Sequence, residues 1–264
     1  MKTSIAIIGI GVLGKSLKQY FSGLDTKSTI LSYDKYKPEE TTSSIEEIVV
    51  KAEVIFICLP TLVNKEKGGY DLASIVETLS ILDHLKFTGP VILRSTFVPG
   101  TTDDLQKHYT TLFLYHMPEF LSSKTASKDL QSLSTKPIYI GMSVTSPISV
   151  FNQVYSFLVQ HFPGRVIWGM KAKETESIKF FCNTFYAMKL KLFQKFYKIC
   201  KKESINFDLV RQGMIQQQWI HPSHTFVPGQ ENNTEIEGDC LPKDLEVFLS
   251  YFVDETEEGL NSLF

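Results

Sequence analysis

The sequence predicts an α/β fold, a doubly wound parallel sheet followed by a smaller all-α domain with a long connecting helix. Three observations predict it. Apolar runs of strand length alternate with helix-compatible segments through the first half, a glycine-rich turn follows the first run, and residues 174–202 contain neither Gly nor Pro. The division expected from this pattern is residues 1–172 and 173–264.

The first run, residues 5–8, is apolar throughout, as a central strand buried on both faces must be. It leads into Gly9-Ile-Gly-Val-Leu-Gly14 and a helix-compatible stretch over residues 15–21. GxGxxG between a strand and a helix reads as a Rossmann-like dinucleotide site. Gly9 permits the tight turn, Gly11 the approach of a pyrophosphate and Gly14 close helix packing, while Val12 and Leu13 open the helix whose N-terminus takes the phosphates. The second strand, residues 29–33, ends at Asp34, about twenty residues beyond the last glycine, where a carboxylate can hold both ribose hydroxyls. NAD is therefore expected in preference to NADP, with Lys35 and Lys37 leaving room for a 2′-phosphate. A glycine turn in an unrelated α/β protein is the competing reading.

A third strand, residues 54–59, stops at Pro60-Thr61, and a fourth, residues 91–94, stops at Ser95-Thr96. Ligand loops of doubly wound sheets lie at these carboxyl ends, which makes Thr61 and Thr96 candidates for cofactor contact. Weaker strands are expected at 112–115, 138–141 and 166–168, interleaved with helices such as 72–82 and 147–161. After the fifth strand comes His116-Met-Pro-Glu-Phe-Leu121. Glu119 there is either a carboxyl raised in pKa by apolar neighbours or a solvated loop carboxylate.

In the second half, Ile178, Phe181, Phe185, Met188, Leu192 and Phe196 recur at three- and four-residue steps and predict one buried stripe on the long helix. Lys179 and Asn183 are four apart and share a face, open both to a common ligand and to plain solvation. A helix over 207–219 and an irregular loop over 222–237 deliver the chain to Gly238-Asp-Cys-Leu-Pro-Lys-Asp244, after which residues 243–252 resume a helical pattern before the acidic stretch 254–258. Cys240 stands three residues before Lys243, a cation that would favour the reactive thiolate, and four before Asp244. Read alone, it is either a covalent nucleophile or an inert thiol.

Composition narrows the function classes. With 43% apolar and 21% charged residues and a formal net charge of −2, the chain reads as soluble and globular, without the basic excess of a polyanion or membrane-surface binder. Cys58, Cys182, Cys200 and Cys240 show neither CxxC nor Cys/His spacing, so no metal site and no disulfide framework is expected. With no secretory leader and no apolar run of membrane-spanning length, a cytoplasmic location is expected.

Taken in order, Gly9-Ile-Gly-Val-Leu-Gly14, Ser95-Thr96 with Pro99-Gly-Thr101, Pro118-Glu-Phe-Leu121, Lys179 with Asn183, and Gly238-Asp-Cys-Leu-Pro-Lys-Asp244 resemble the UDP-glucose/GDP-mannose dehydrogenase family over essentially the whole chain. The resemblance implies oxidation of a nucleotide-sugar alcohol, UDP-glucose foremost, to the carboxylate with two NAD, an activity that feeds polysaccharide biosynthesis. It implies Cys240 as the nucleophile, Lys179 and Asn183 as oxyanion donors that also bind substrate, and Asp244 in proton transfer through a water. Glu119 would place the hydrolytic water, Thr96 would lie between nicotinamide and substrate, Phe120 and Leu121 would contact substrate, and Lys243 would contact cofactor. A homodimer through the long helix is expected.

Some positions depart from the family pattern. Glu237 replaces a glycine, Gln194-Lys195 stands where an Asn-Glu pair is usual, and an arginine is missing around Gln217, Gln218 and Trp219. Family members also carry a C-terminal nucleotide-binding domain that this chain stops before, so altered substrate affinity is expected. Two further readings remain: a β-hydroxyacid-type dehydrogenase, which shares the Lys-xxx-Asn pair and needs no cysteine, and a degenerate member that binds NAD without catalysis.

Overall fold

The computed structural model describes residues 3–24, 28–66, 68–120, 136–227 and 240–252. Contacts divide the chain into two compact units, one of Met1–Leu62 and Asp71–Lys179, the other of Val63–Tyr70 and Phe180–Phe264.

The first unit is built on a seven-stranded sheet. Its strands are β1 (Ser4–Ile8), β2 (Thr29–Tyr33), β3 (Val54–Ile57), β6 (Pro90–Leu93), β7 (Phe113–His116), β8 (Ile138–Met142) and β9 (Ile167–Lys171), in the order β2-β1-β3-β6-β7-β8-β9. Between them run α1 (Val12–Gly23), α2 (Ile45–Lys51), α3 (Ala73–His84), α4 (Thr101–His108) and α5 (Ile148–His161). The central strands β1, β3 and β6 are apolar on both faces because both faces are covered. Ala6, Ile8, Ile55, Ile57 and Leu93 pack under α2, α3 and α4, and the alternate residues Ile5, Ile7, Val54, Phe56 and Ile92 pack under α1 and α5.

The sheet is not wholly parallel, as the alternation had suggested. β8 pairs antiparallel to β7, with Tyr115 opposite Met142, and β9 then pairs parallel to β8. Local composition does not reveal this reversal, because an antiparallel strand covered on both faces carries the same apolar residues as a parallel one. The helices α2 and α4 were not foreseen. α2 begins at a capping box in which Ser44 and Glu47 each bond the other's backbone N–H.

In the second unit, α6 (Ala172–Lys202) continues from the first, followed by α7 (Phe207–Gln216) and α8 (Cys240–Phe252). The short strands β4 (Leu62–Val63) and β5 (Tyr70–Asp71) pair as a separate two-stranded ribbon. The helix expected over residues 243–252 starts three residues earlier. Pro242 is tolerated there because its missing N–H falls in the first turn, where backbone donors have no intrahelical partner. The expected loop beyond residue 227, the acidic stretch and Leu121 lie outside the described residues. Among the described residues no helix is long and apolar enough to cross a membrane.

The stripe expected to be buried on α6 is corrected by the packing. Phe181, Phe185 and Leu192 are about half exposed, whereas Phe180, Ala187, Phe193 and Cys200 are buried. Apolar residues occur at helical spacing on both faces of this helix, so periodicity alone could not choose between them. Phe193 and Cys200 pack with Phe207 and Val227, and that contact selects the face.

The start of α6 is fixed by a buried carboxylate. Glu176 accepts hydrogen bonds from Gly100 N (2.5 Å), Thr102 N (2.7 Å) and Thr102 Oγ1 (2.6 Å), and so caps α4, whose N-cap Gly100 has no side chain to do so. Burial outweighs these donors and, with some help from Asp103, pushes the Glu176 carboxyl from its ordinary 4.5 up to about 7. The folded state then holds this proton more tightly than the unfolded chain. The resulting stabilisation is full below about pH 4.5 and is lost as pH rises through about 7, on the order of 3 kcal/mol at most. Denaturant titrations from pH 4 to 8 should show this fall. In Glu176→Gln, which loses one acceptor, stability should be lower overall and flatter with pH.

Candidate active site

The residues expected to contact cofactor lie mostly in the first unit, at the carboxyl ends of β1, β2, β3 and β6. Gly9 has φ +90°, and a Cβ there would stand 2.8 Å from the Cys58 carbonyl oxygen. At Gly14 it would stand 2.0 Å from the Gly9 oxygen, so α1 can lie this close to the turn only as glycine. Gly11 has no heavy atom within 4 Å of a notional Cβ. As N-cap of α1 it offers no side-chain acceptor to the first-turn N–H groups, with Val12 exposed and Leu13 half-buried behind it. Open space over uncapped donors fits a diphosphate.

Asp34 is tied to this turn. Its Oδ2 accepts from Ile10 N at 2.7 Å and its Oδ1 from Tyr36 N at 2.9 Å. Lys35 turns away to Glu77 (2.7 Å), and Lys37 donates to the Ile10 carbonyl (3.1 Å). Across the sheet edge, Thr61 Oγ1 donates to the Thr96 carbonyl at 3.0 Å, joining the loops after β3 and β6. The donors and the carboxylate needed for a dinucleotide are therefore present, and these residues fit NAD.

Glu119 is neither among apolar side chains alone nor freely solvated. Arg94, only 3% exposed, donates from Nη2 to its Oε2, and Phe120 N donates to its Oε1 at 2.6 Å. The Lys179 ammonium lies 5.2 Å from the centre of the Phe120 ring. Behind Thr96, Ser95 O faces His116 Nε2 at 3.1 Å, and Thr175 Oγ1 faces His116 Nδ1 at 2.8 Å. Burial depresses the His116 pKa to about 3, so the ring is neutral. A carbonyl can only accept, which assigns the proton to Nε2 and leaves Nδ1 an acceptor that shares the single Thr175 hydroxyl proton with the Ala172 carbonyl (2.8 Å).

The second unit holds the cysteine. Cys240, Lys243 and Asp244 occupy the first and fourth to fifth positions of α8 and share one face. Cys240 is exposed, whereas Asp244 is wholly buried. Asp244 Oδ2 accepts from Asn183 Nδ2 at 2.7 Å, and its Oδ1 accepts from Tyr70 Oη at 2.6 Å and from Lys243 Nζ at 3.2 Å. Lys243 Nζ also stands 4.6 Å from the centre of the Tyr70 ring. Burial, then the neighbouring Asp244 charge, pushes the Tyr70 phenol well above its ordinary pKa, so it stays a neutral donor.

Cys240, Asn183, Lys243 and Asp244 are thus brought together, and the glycine turn, Asp34, Thr61 and Thr96 form a second group, with Glu119, Phe120 and Lys179 in the same unit as the latter. Sequence reasoning missed Arg94, His116, Glu176 and Tyr70. An arginine closing a buried strand is a readable signal for the first. Tyr70 has none, because its partner is 174 residues away.

Comparison with known proteins gives these groups a family. The sequence model "UDP-glucose/GDP-mannose dehydrogenase family, NAD binding domain" matches residues 34–159, and that of the same family's central domain matches residues 173–261. A UDP-glucose 6-dehydrogenase of Campylobacter jejuni is 27% identical over 219 residues, covering 80% of this chain and 51% of that protein. The chain therefore spans about half the length of this curated relative. In fold, a UDP-glucose dehydrogenase from the hyperthermophilic archaeon Pyrobaculum islandicum matches with a TM-score of 0.77 at 19% identity, over 99% of this chain and 65% of that one. A 3-hydroxyisobutyrate dehydrogenase from Mycobacterium tuberculosis matches with a TM-score of 0.71 at 14% identity, over 100% of this chain and 92% of that one. The two matched domains together cover most of the sequence, and the chain belongs to the UDP-glucose/GDP-mannose dehydrogenase family, with NAD as the cofactor of its N-terminal domain.

Proposed function

We propose that the chain oxidises the C6 alcohol of a nucleotide sugar, UDP-glucose foremost, to the carboxylate through a covalent intermediate on Cys240. The observation that carries this reading is the first turn of α8, where an exposed cysteine shares a face with a lysine and with a carboxylate that accepts from Asn183. NAD supplies the hydride acceptor for both oxidations. In the first, the alcohol loses a hydride and a proton, which passes through a water to Asp244, leaving an aldehyde. The Cys240 thiolate adds to the aldehyde carbon, and Asn183 and Lys179 donate to the resulting oxyanion. Loss of a second hydride gives a thioester. Water, oriented by the Arg94-held Glu119, displaces the thiolate and releases the carboxylate.

A hydroxyacid oxidation without covalent catalysis is the second reading, favoured by the fold match that spans 92% of a 3-hydroxyisobutyrate dehydrogenase. It gives Cys240 no task. The two readings separate on stoichiometry with UDP-glucose as substrate. The parent chain should give close to two NADH per sugar, and Cys240→Ser at most about one, because a serine alkoxide is a poor leaving group. No NADH from UDP-glucose, or two from the variant at undiminished rate, would sink the proposal.

Cofactor preference follows from the charges near Asp34. A 2′-phosphate would meet this carboxylate, while Lys35 and Lys37, the cations that could offset it, are engaged by Glu77 and the Ile10 carbonyl. NAD should bind about tenfold or more tightly than NADP, as a tryptophan-fluorescence or calorimetric titration would read. Asp34→Asn should narrow that gap.

We also propose a homodimer through α6. Phe181, Phe185, Leu192 and Ile199 are 51%, 62%, 46% and 55% exposed and follow one another at four- and seven-residue steps, a seam that a second copy would cover. Light scattering should give about twice the 30.0 kDa chain mass. Phe185→Glu should shift the species toward monomer with the fold, read by circular dichroism, retained.

A further inference from the structure

The hairpin that carries Tyr70 interrupts the sequence between β3 and α3, yet residues 63–70 group with the helices of the second unit. Tyr70 is nearly buried, its ring edge against Phe180 at 6.2 Å. A phenylalanine would fill that space equally well. What the hydroxyl adds is one short hydrogen bond, at 2.6 Å, to the Asp244 oxygen that also faces Lys243. With Asn183 on the other oxygen, Tyr70 determines how the carboxylate is turned and hence where it draws the Lys243 ammonium. Lys243 in turn shares the α8 face of Cys240.

We propose that Tyr70 is a positioning residue for the cysteine site: its hydroxyl clamps Asp244 so that Lys243 is held on the face of Cys240. The role rests on the assignment of Cys240 as nucleophile and adds to it a residue outside every motif in the chain. It acts through Asp244 and makes no contact with substrate. A cation held near the sulfur favours attack by its thiolate, so releasing the clamp slows thiol chemistry before any sugar is bound.

The test uses the full chain and four variants: Tyr70→Phe, Asp244→Asn, the double variant, and Tyr20→Phe as control. Tyr20 also donates a hydrogen bond, to the His161 carbonyl at 3.0 Å, but in the first unit. Alkylation of Cys240 by iodoacetamide at fixed pH is followed by peptide mass spectrometry. Tyr70→Phe should slow it by about threefold or more. Adding Tyr70→Phe to Asp244→Asn should slow it no further, since both changes break one interaction. Tyr20→Phe should leave it unchanged at a comparable loss of melting temperature.

In turnover with UDP-glucose, Tyr70→Phe should lower kcat by about tenfold, the effect of deleting a hydrogen bond to a charged group. Unchanged or faster alkylation in Tyr70→Phe would overturn the proposal and leave the phenol a purely structural filler. If Asp244→Asn fails to fold, the comparison of Tyr70→Phe with Tyr20→Phe still decides. If the parent gives no NADH with UDP-glucose, the assigned reaction fails, while the alkylation rates still judge Tyr70.

Discussion

A carboxylate taken fully out of water costs several kcal/mol unless donors replace its hydration, and Asp244 is such a group. Its donors come from three separated parts of the chain: Tyr70 on a hairpin, Asn183 on the long helix and Lys243 beside it on α8. Removing any one leaves a buried charge short of a partner, a larger penalty than the loss of an exposed ion pair. The hairpin, α6 and the cysteine helix therefore all meet at one side chain, and Phe180 adds ring contacts to Tyr70 and Phe248. Cys240 inherits its setting from that arrangement, being one turn away on the same helix.

Two other carboxylates are withdrawn from solvent to different degrees and by different means. Among the described residues Glu176 has no cation opposite it, only the backbone N–H groups and hydroxyl at the start of α4, so burial prevails and its proton is held to about pH 7. Glu119 faces Arg94, which is almost completely buried and whose Nε and Nη1 have no hydrogen-bond partner among the described residues. A guanidinium in that state has donors left over for water or ligand atoms. The first arrangement suits a structural cap, and the second keeps a partly exposed carboxylate paired with a cation.

What the sequence made legible follows from how local each constraint is. The glycine turn could be read because its requirements are close in sequence: a Cβ at Gly14 would strike Gly9, and Asp34, at the end of the next strand, returns to the turn through Ile10 N. The central strands could be read because both of their faces are covered, which leaves few polar positions to blur the pattern. The buried face of α6 could not, since Phe181 and Phe185 are as apolar as Phe180 and Phe193. Only the neighbours, Phe207 and Val227, decide between them. The reversal at β8 and the bond from Tyr70 to Asp244 were hidden for the same reason: each depends on a partner that no local pattern names.

The four cysteines show how the fold turns one residue type into distinct chemistries. Cys58 closes β3 in the core, where burial pushes its thiol up to about 12 and keeps it protonated. Cys200 fills the cluster around Phe193 as a small apolar residue would. Cys182 is half-buried on α6, next to the phenol of Tyr186, which is itself raised in pKa by burial and stacked on His224 at 4.4 Å. Cys240 alone among the four is exposed, and it alone stands in the first turn of a helix with a lysine one turn on. One turn along the same helix, the buried Asp244 gathers an amide, a cation and a phenol. On the proposed covalent route, the donors that offset the cost of burying Asp244 also set a cation on the helix face that carries this sulfur.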